Sequence, residues 1–586
     1  MRFETIEHNV DLCVVGGGLS GLCAAVAAAR HGIKVVLMQE RPMLGGNASS
    51  EIRMWICGAG GGFGNLRETG IIEEILMENQ YRNPDKNYSI WDGILYETAA
   101  YQNGLTLLLN CTCNECEMEN DEITSVTGWQ LTTQKYHKVN AKIFADCSGD
   151  SVLAPLTSAK SFWGREAKKE YNEIGGQEVA DKYTMGLSCL LQARYDPKPS
   201  GFIPPKWAYH YTKDDLPYRL PNLESTGENF WFLEIGGDRD SIGDTELLRD
   251  ELLKIGYGIW DYCKNAPENK ERNANWKLDW MGILPGKRES RRYCGDYIMT
   301  QNDLAEGREF EDIVAYGGWS MDDHNPFGFL SKDPPNRHHR THSPYGIPLR
   351  ALYSVNIKNL MFAGRNISTT HIALSSTRVM ATCALLGQAV GTAAAVAVEN
   401  RTLPHNFKKE HITDIQNRLM DDDCWLLSLK RPISDLTLRA KLETSAANAE
   451  NLRNGIDRPI GNDDNGCYLK AGDTVSYCFE KPRHISNIRI VFDSDLNRET
   501  LPKDFVRPML ANRPENYPQS YVPKTMIKSY RIEAVCGGKS EIIYETDNNY
   551  HRLNKISVNV NAEKIRLIPL ETWGADEFHI FAFDIR

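Results

Sequence analysis

The chain has 586 residues, of which 41% are hydrophobic and 25% charged, enough for a large core and for three or four units of roughly 100–200 residues each. Its net charge is -11, its pI is about 5.8 and no block of lysine or arginine stands out as a nucleic-acid surface, so a nucleic-acid partner is not expected. The 15 cysteines are odd in number and scattered, several in apolar runs (Cys13, Cys23, Cys383), as buried free thiols would be rather than a disulfide framework.

The opening residues lack the apolar run of a signal peptide. The longest apolar stretches are rich in Gly and Ala and read as too short or too polar to span a bilayer. A soluble, cytoplasmic protein without a membrane partner is therefore expected.

Residues 11–15 read as a short apolar strand. Gly16, Gly18 and Gly21 then match G-x-G-x-x-G, with Leu19 and Ser20 between the last two. An Ala-rich helix over 22–30 follows, ended by Gly32, and 34–38 reads as a second strand with Glu40 at its end. In such a unit Gly16 makes the tight turn, Gly18 lets the backbone approach a pyrophosphate, and Gly21 lets helix and strand pack closely. The helix N-terminus offers N–H groups to the phosphates, and Glu40 can accept from ribose hydroxyls.

Glu40 is followed by Arg41, Gly45, Gly46 and Asn47, which resembles the E-R-x-x-x-G-G segment of FAD-dependent oxidoreductases with two dinucleotide-binding domains. I-F-A-D-C-S-G-D (143–150) resembles the strand and turn that close their FAD domain, and L-M-F-A-G-R (360–365) their late strand, with Arg365 where an acid is usual. The resemblance covers roughly residues 8–400 and is nearest to the fumarate reductase and succinate dehydrogenase flavoproteins. It implies FAD as cofactor, held by Gly16, Gly18, Leu19, Ser20, Gly21, Glu40, Arg41, Gly45, Gly46, Asn47, Ser49, Cys113 beside the adenine, Asp146, Gly149, Gly364 and Arg365. Whether FAD is covalently attached stays open; Cys57 lies near the flavin-facing region. The glycines of 56–64 do not fit a second G-x-G-x-x-G and read as a flexible loop beside the flavin. An in-chain NAD(P)H domain is not expected, so an unknown external partner gives or takes the electrons.

Alternation across a strand explains Cys111, Cys113 and Cys116 better than a metal site, and no metal is expected. Strands are expected over 105–109, 123–129 and 142–145. The fold class is α/β: a Rossmann-like FAD/NAD(P)-binding core (1–160 and 345–440), an inserted α+β substrate domain (161–344) and a C-terminal antiparallel β-sandwich (445–586). Strands over 474–479, 485–492, 528–534, 541–544, 556–560 and 564–569 make the sandwich. N-L-R-N-G (451–455) and the F-D-I-R end resemble discoidin or galactose-binding-like modules, which implies sugar recognition or an interface, such as that of a homo-oligomer.

Redox chemistry on a flavin needs arginine and histidine near the ring. His371 precedes a small-residue helix read over 375–398 and is the first acid/base candidate. Arg378 in that helix, Arg53 after the Gly-Gly turn, and Arg288, with Glu289 to hold it, are candidates to grip substrate or flavin. His338-His339-Arg340-Thr341-His342 reads as a loop folding over the substrate. The expected function is FAD-dependent oxidation or reduction of a small polar molecule. A carbohydrate hydroxyl is the first substrate. An unsaturated carboxylate, gripped by two or more arginines and reduced, is the alternative. A non-catalytic, FAD-containing glycan-binding protein is the third reading.

Overall fold

The structure is a computed structural model and describes residues 3–60, 65–501, 507–517 and 519–586. Of the glycine-rich stretch 56–64, positions 61–64 lie outside the described residues. The chain forms two compact units: Met1–Ala59, Lys86–Ile415 and Arg507–Pro518 make the first, and Gly60–Asp85, Gln416–Val506 and Gln519–Arg586 the second. Residues 65–85, which the sequence reading places inside the nucleotide fold, thus pack in the second unit, and 507–517, inside the sandwich sequence, in the first.

The first unit is built on a five-stranded parallel sheet in the order Leu360–Phe362, Ile143–Asp146, Leu12–Val15, Val35–Met38 and Leu105–Leu108. The four strands from Leu12–Val15 to Leu360–Phe362 other than Leu105–Leu108 are buried throughout, as parallel strands covered on both faces must be. Helix Leu19–Arg30 packs against helix Met380–Glu399. A Cβ at Gly387 would stand 1.9 Å from the Ser20 carbonyl oxygen, and one at Gly391 2.1 Å from that of Ala24, so this approach requires glycine.

The helix read over 375–398 is two helices, His371–Thr377 and Met380–Glu399. Thr370 caps the first through its Oγ1, and the extended backbone of Val379 breaks the run. Met380–Glu399 is, contrary to the sequence expectation, long and apolar enough to cross a membrane, but 94% of its most apolar window is buried inside the protein.

Strands Thr5–Asn9, Lys135–Asn140, Glu122–Gln130 and Cys111–Glu119 form a second sheet. Cys111 and Cys113 are buried on one face, and the register shifts between Cys113 and Glu115, as expected for cysteines alternating on a strand. The insertion adds paired strands Leu191–Tyr195 and Trp276–Met281, helix Thr245–Asn265 and a core that includes Leu191, Phe230, Leu252, Ile259 and Trp260. A hairpin of Met321–His324 and Asn336–His339 completes the walls of the site.

In the second unit Val475–Phe492 and Leu553–Thr572 are each one long strand where the sequence reading expects two. Register breaks between Cys478 and Arg483 divide their pairing. The later half of the first strand lies beside Phe578–Ile585, which pairs with Cys467–Leu469. The later half of the second pairs with Ile527–Cys536, which pairs with Lys539–Thr546. Long strands that change layers at a bend are how one ladder becomes a sandwich. Helix Ile71–Arg82 gives Met77 to this core, and its buried Glu73 accepts two hydrogen bonds from Arg498 Nη2, at 3.0 and 2.8 Å.

Candidate active site

A cavity of about 440 Å³ in the first unit is lined at one end by the glycine motif and at the other by residues of the insertion. Gly16 sits at φ +101° and donates to the Met38 carbonyl at 2.8 Å, which ties the turn to the second strand. Gly17 donates to Gln39 Oε1 at 2.7 Å, and Gly45 to the Gly17 carbonyl at 2.8 Å. A Cβ at Gly18 would meet nothing closer than 4.0 Å, so its free space belongs to the cavity. No side chain caps the helix that starts at Leu19. Its first N–H groups are therefore left for an anion.

Leu19, Ser20, Glu40, Arg41, Gly46, Asn47, Cys113, Gly149 and Gly364 also line this end. Arg365 lines it too, held by Asp150 at 2.8 Å, with its Nε buried and without a hydrogen-bond partner. Burial opposes charge on Asp150, yet Arg365 and Lys287 hold its carboxyl well below the usual range. A glycine cradle, an open helix end, an exposed carboxylate at Glu40 and an unsatisfied guanidinium donor fit a flavin dinucleotide.

Three of the expected cofactor residues stand behind the wall. A Cβ at Gly21 would lie 1.8 Å from the Gly16 carbonyl oxygen, so this glycine serves packing. Ser49 is buried and donates to the Gly46 carbonyl at 2.7 Å. Asp146 is buried and accepts from Ser148 N at 2.9 Å, Leu153 N at 2.8 Å and Tyr293 OH at 2.6 Å, so it braces the turn before Gly149.

At the far end the expected catalytic residues separate. His371 is 2% exposed and off the cavity wall, with Nδ1 2.8 Å from Glu289 and Nε2 3.1 Å from Asp323. Burial disfavours its charge, but Glu289 and Asp323 outweigh burial and push its pKa up to about 10. The ring is thus held between two carboxylates behind the cavity wall, not on the wall where an acid/base group would meet substrate. Arg53 is also off the wall: it donates to Gln192 Oε1 at 2.8 Å and lies over the rings of Tyr88 and Trp280.

Arg288 and Arg378 do line the cavity. Glu289 turns away to His371, and Arg288 pairs instead with Glu234 at 3.4 Å while donating to Ser188 Oγ and the Trp231 carbonyl, both at 2.8 Å. Arg378 is the residue at the helix break; its Nη2 donates to the Asp322 carbonyl at 3.2 Å, and its Nε is buried without a partner.

The sequence reading passed over Asp322, His324, Trp231, Trp319 and Arg507, all on the wall. Asp322 and His324 share one face of a strand and Asp323 the other, a period-2 signal readable in D-D-H. Asp322 accepts from Asn336 Nδ2 at 2.5 Å and lies 3.2 Å from His324 Nε2. Burial works against its charge, but His324 and Arg378 hold it well below the usual range. His338, on the paired strand, lines the cavity with its side chain 57% exposed. The histidine run is thus partly a strand of a hairpin, not a loop throughout. Among the described residues no three His, Cys, Asp or Glu side chains are arranged to hold a metal ion.

A parallel dinucleotide fold with this cradle defines a flavoprotein class. The chain belongs to the FAD dependent oxidoreductase family, whose model matches residues 11–419. Its cofactor is FAD and it is an enzyme, which sets aside the non-catalytic reading. One stretch of 44 residues is 50% identical to the NADH:acrylate oxidoreductase of Vibrio harveyi, and covers 8% of this chain and 4% of that protein. Among solved structures, a geranylgeranyl bacteriochlorophyll reductase-like protein from Thermoplasma acidophilum is similar at 13% identity and TM-score 0.32, over 71% of this chain and 86% of that one. The family 32 carbohydrate-binding module of C. perfringens NanJ is similar at 11% identity and TM-score 0.18, over 26% of this chain and 97% of that one.

Proposed function

We propose that this FAD-dependent oxidoreductase acts on a small carboxylate and reduces a carbon–carbon double bond conjugated to it. The observation that carries this reading is the positive far end of the cavity: Arg288, Arg378 and Arg507 line it, against the carboxylate of Asp322 on the wall and Glu234 behind it, while Asp150 is paired with Lys287 and Arg365. An anionic substrate balances that excess, and guanidinium forks match carboxylate geometry. The stretch similar to an NADH:acrylate oxidoreductase supports the same direction.

Bound FAD supplies two-electron hydride chemistry. The chain's own residues do the rest. Gly16, Gly18, Glu40, Gly46 and Arg365 hold the dinucleotide. Arg378 orients the carboxylate, Trp231 and Trp319 keep water from the reacting carbons, and His338 hands a proton to the α-carbon. His324, between Glu234 at 2.5 Å and Asp322 at 3.2 Å, holds Asp322 and so positions Arg378.

The test is anaerobic. The enzyme is reduced with a stoichiometric amount of dithionite and mixed with acrylate, fumarate or a neutral sugar. Return of the oxidised flavin spectrum with an enoate supports the reading. The second reading, oxidation of a sugar hydroxyl, draws on the aromatic and hydrogen-bonding groups of the same wall: Trp231, Trp319, Asn336 and His338. Bleaching of oxidised enzyme by a sugar, with no reoxidation by any enoate, would replace the first reading with the second.

A further inference from the structure

The three wall arginines are not equivalent. Arg288 has all three nitrogens engaged, by Glu234, Ser188 Oγ and the Trp231 carbonyl. Arg378 lies 3.6 Å from the Asp322 carboxylate and donates to the same residue's carbonyl. Arg507 has no carboxylate within ion-pair distance among the described residues: Nη1 donates to the Gly227 carbonyl at 3.1 Å, and its guanidinium lies 3.4 Å from the centre of the Trp55 ring. Stacking on Trp55, itself on the wall, fixes the plane of the fork, and Nε and Nη2 have no hydrogen-bond partner among the described residues, which leaves them for a ligand.

The segment that carries Arg507 is docked, not loose. Arg513 N donates to the Ala193 carbonyl at 2.9 Å and Tyr195 N to the Arg513 carbonyl at 2.8 Å, so the segment adds to strand Leu191–Tyr195 as an edge. Ala193 N donates to Asn512 Oδ1 at 2.9 Å, Gln192 Nε2 to the Leu510 carbonyl at 3.1 Å, and Ala511 N to the Thr226 carbonyl at 2.9 Å. Leu510 and Ala511 are buried. A side chain held on such a support can orient a ligand.

We propose that Arg507 is the substrate-specificity residue of this oxidoreductase: it binds the substrate carboxylate through its free edge and selects acids over their neutral analogues. The proposal rests on the small-carboxylate reading of the cavity. It also makes the segment 507–517, which lies beyond the matched family region, part of the active site.

The experiment uses full-length, FAD-loaded protein. Propionate, a saturated and unreactive acid, is titrated while the flavin absorbance is followed, and the reduced enzyme is then mixed with acrylate or with acrylamide, which differ in charge at one group. Arg507→Met should weaken propionate about 100-fold and remove most of the preference for acrylate over acrylamide; Arg507→Lys, which keeps the charge and loses the fork, should weaken propionate about tenfold. If Arg507→Met does not retain flavin, the lysine variant decides alone. A propionate affinity within twofold of wild type in a flavin-loaded variant, with acrylate turnover intact, overturns the role of Arg507 and leaves the small-carboxylate reading standing. A wild-type enzyme that neither binds propionate nor is reoxidised by acrylate overturns both.

Discussion

At the nucleotide end of the cavity the wall comes from short stretches at the ends of parallel strands, 15–20, 38–41, 45–47, 147–150 and 364–365, together with Thr112 and Cys113 of the second sheet. At the far end it comes from residues as distant as Trp55, Arg288, His338, Arg378 and Arg507. The first end works through backbone: positive φ at Gly16, space at Gly18, uncapped N–H groups. The second works through charged side chains whose partners lie in other elements. A site made of backbone fails by steric exclusion, whereas one made of ion pairs fails by leaving charges unpaired.

Two neighbouring glycines give the largest effect and separate folding from cofactor binding. A Cβ at Gly21 collides with the Gly16 carbonyl oxygen at 1.8 Å, and neither backbone can yield without opening the turn. Gly21→Ala is expected to cost more than about 4 kcal/mol, beyond ordinary overpacking, and to give little folded protein. Gly18→Val points a side chain into open cavity. It should fold, melt close to the apo wild type, and lack the flavin absorbance band. A yellow Gly18→Val protein would remove the glycine cradle from the FAD assignment.

The same contrast explains what could be read in advance. The nucleotide end was legible because each of its signals is local: strand, glycines, helix and acid follow one another within 11–47. Glu289 is next to Arg288 in sequence but on the other side of its backbone, and Arg288 finds Glu234 through the strand trio of Glu234–Ile235, Leu187–Ser188 and Gly286–Lys287. His371, the acid/base candidate of the sequence, begins a helix, yet carboxylates from two distant segments enclose it. Arg507 gives no local sign, since its role depends on a segment crossing from the sandwich sequence into the first unit. Tertiary pairing of charges leaves no periodicity to read.

Removing the His371 imidazole tests the charged end as a structural network. His371→Ala removes the cation shared by Glu289 and Asp323 in a buried site, and leaves Glu289 with Arg292 at 3.4 Å and Asp323 with Arg337 at 3.3 Å. A loss of about 2–3 kcal/mol is expected, the scale of lost hydrogen bonds to charged groups, read as a lower denaturant midpoint at unchanged slope. The pH dependence has a definite sign. The folded-state pKa, about 10, is raised above the ordinary 6.5, so the folded protein favours the charged ring. Its stabilisation is complete below about pH 6.5 and declines as pH rises through about 10. Wild type and variant should therefore differ most near pH 6 and converge toward pH 10.5; a constant gap would mean that the loss is packing alone.

His338→Gln should act on rate and spare stability. The side chain is on the wall and mostly exposed, and the hydrogen bond between its Nδ1 and Ser320 Oγ, at 3.0 Å, lies on the surface. Rapid-mixing reoxidation of the reduced flavin by acrylate should slow about 100-fold, with the melting temperature and the propionate affinity unchanged. An unchanged rate would return the proton-transfer role to another group of the far end.

The smallest effect probes the backbone-built end through its one exposed carboxylate. Glu40 follows strand Val35–Met38, is exposed and lines the cavity. Hydroxyl donors on the cofactor would gain roughly 1–2 kcal/mol more from a carboxylate than from an amide, since an ionised acceptor makes the stronger bond. Glu40→Gln should weaken FAD about tenfold in a titration of apoprotein, leaving the flavin spectrum and acrylate turnover of the saturated enzyme intact. The loss should be nearly independent of ionic strength, because the partners are neutral hydroxyls. A strong salt dependence would instead mean that Glu40 acts through Arg41, 3.7 Å from Glu51, and that this end of the cavity also depends on paired charges.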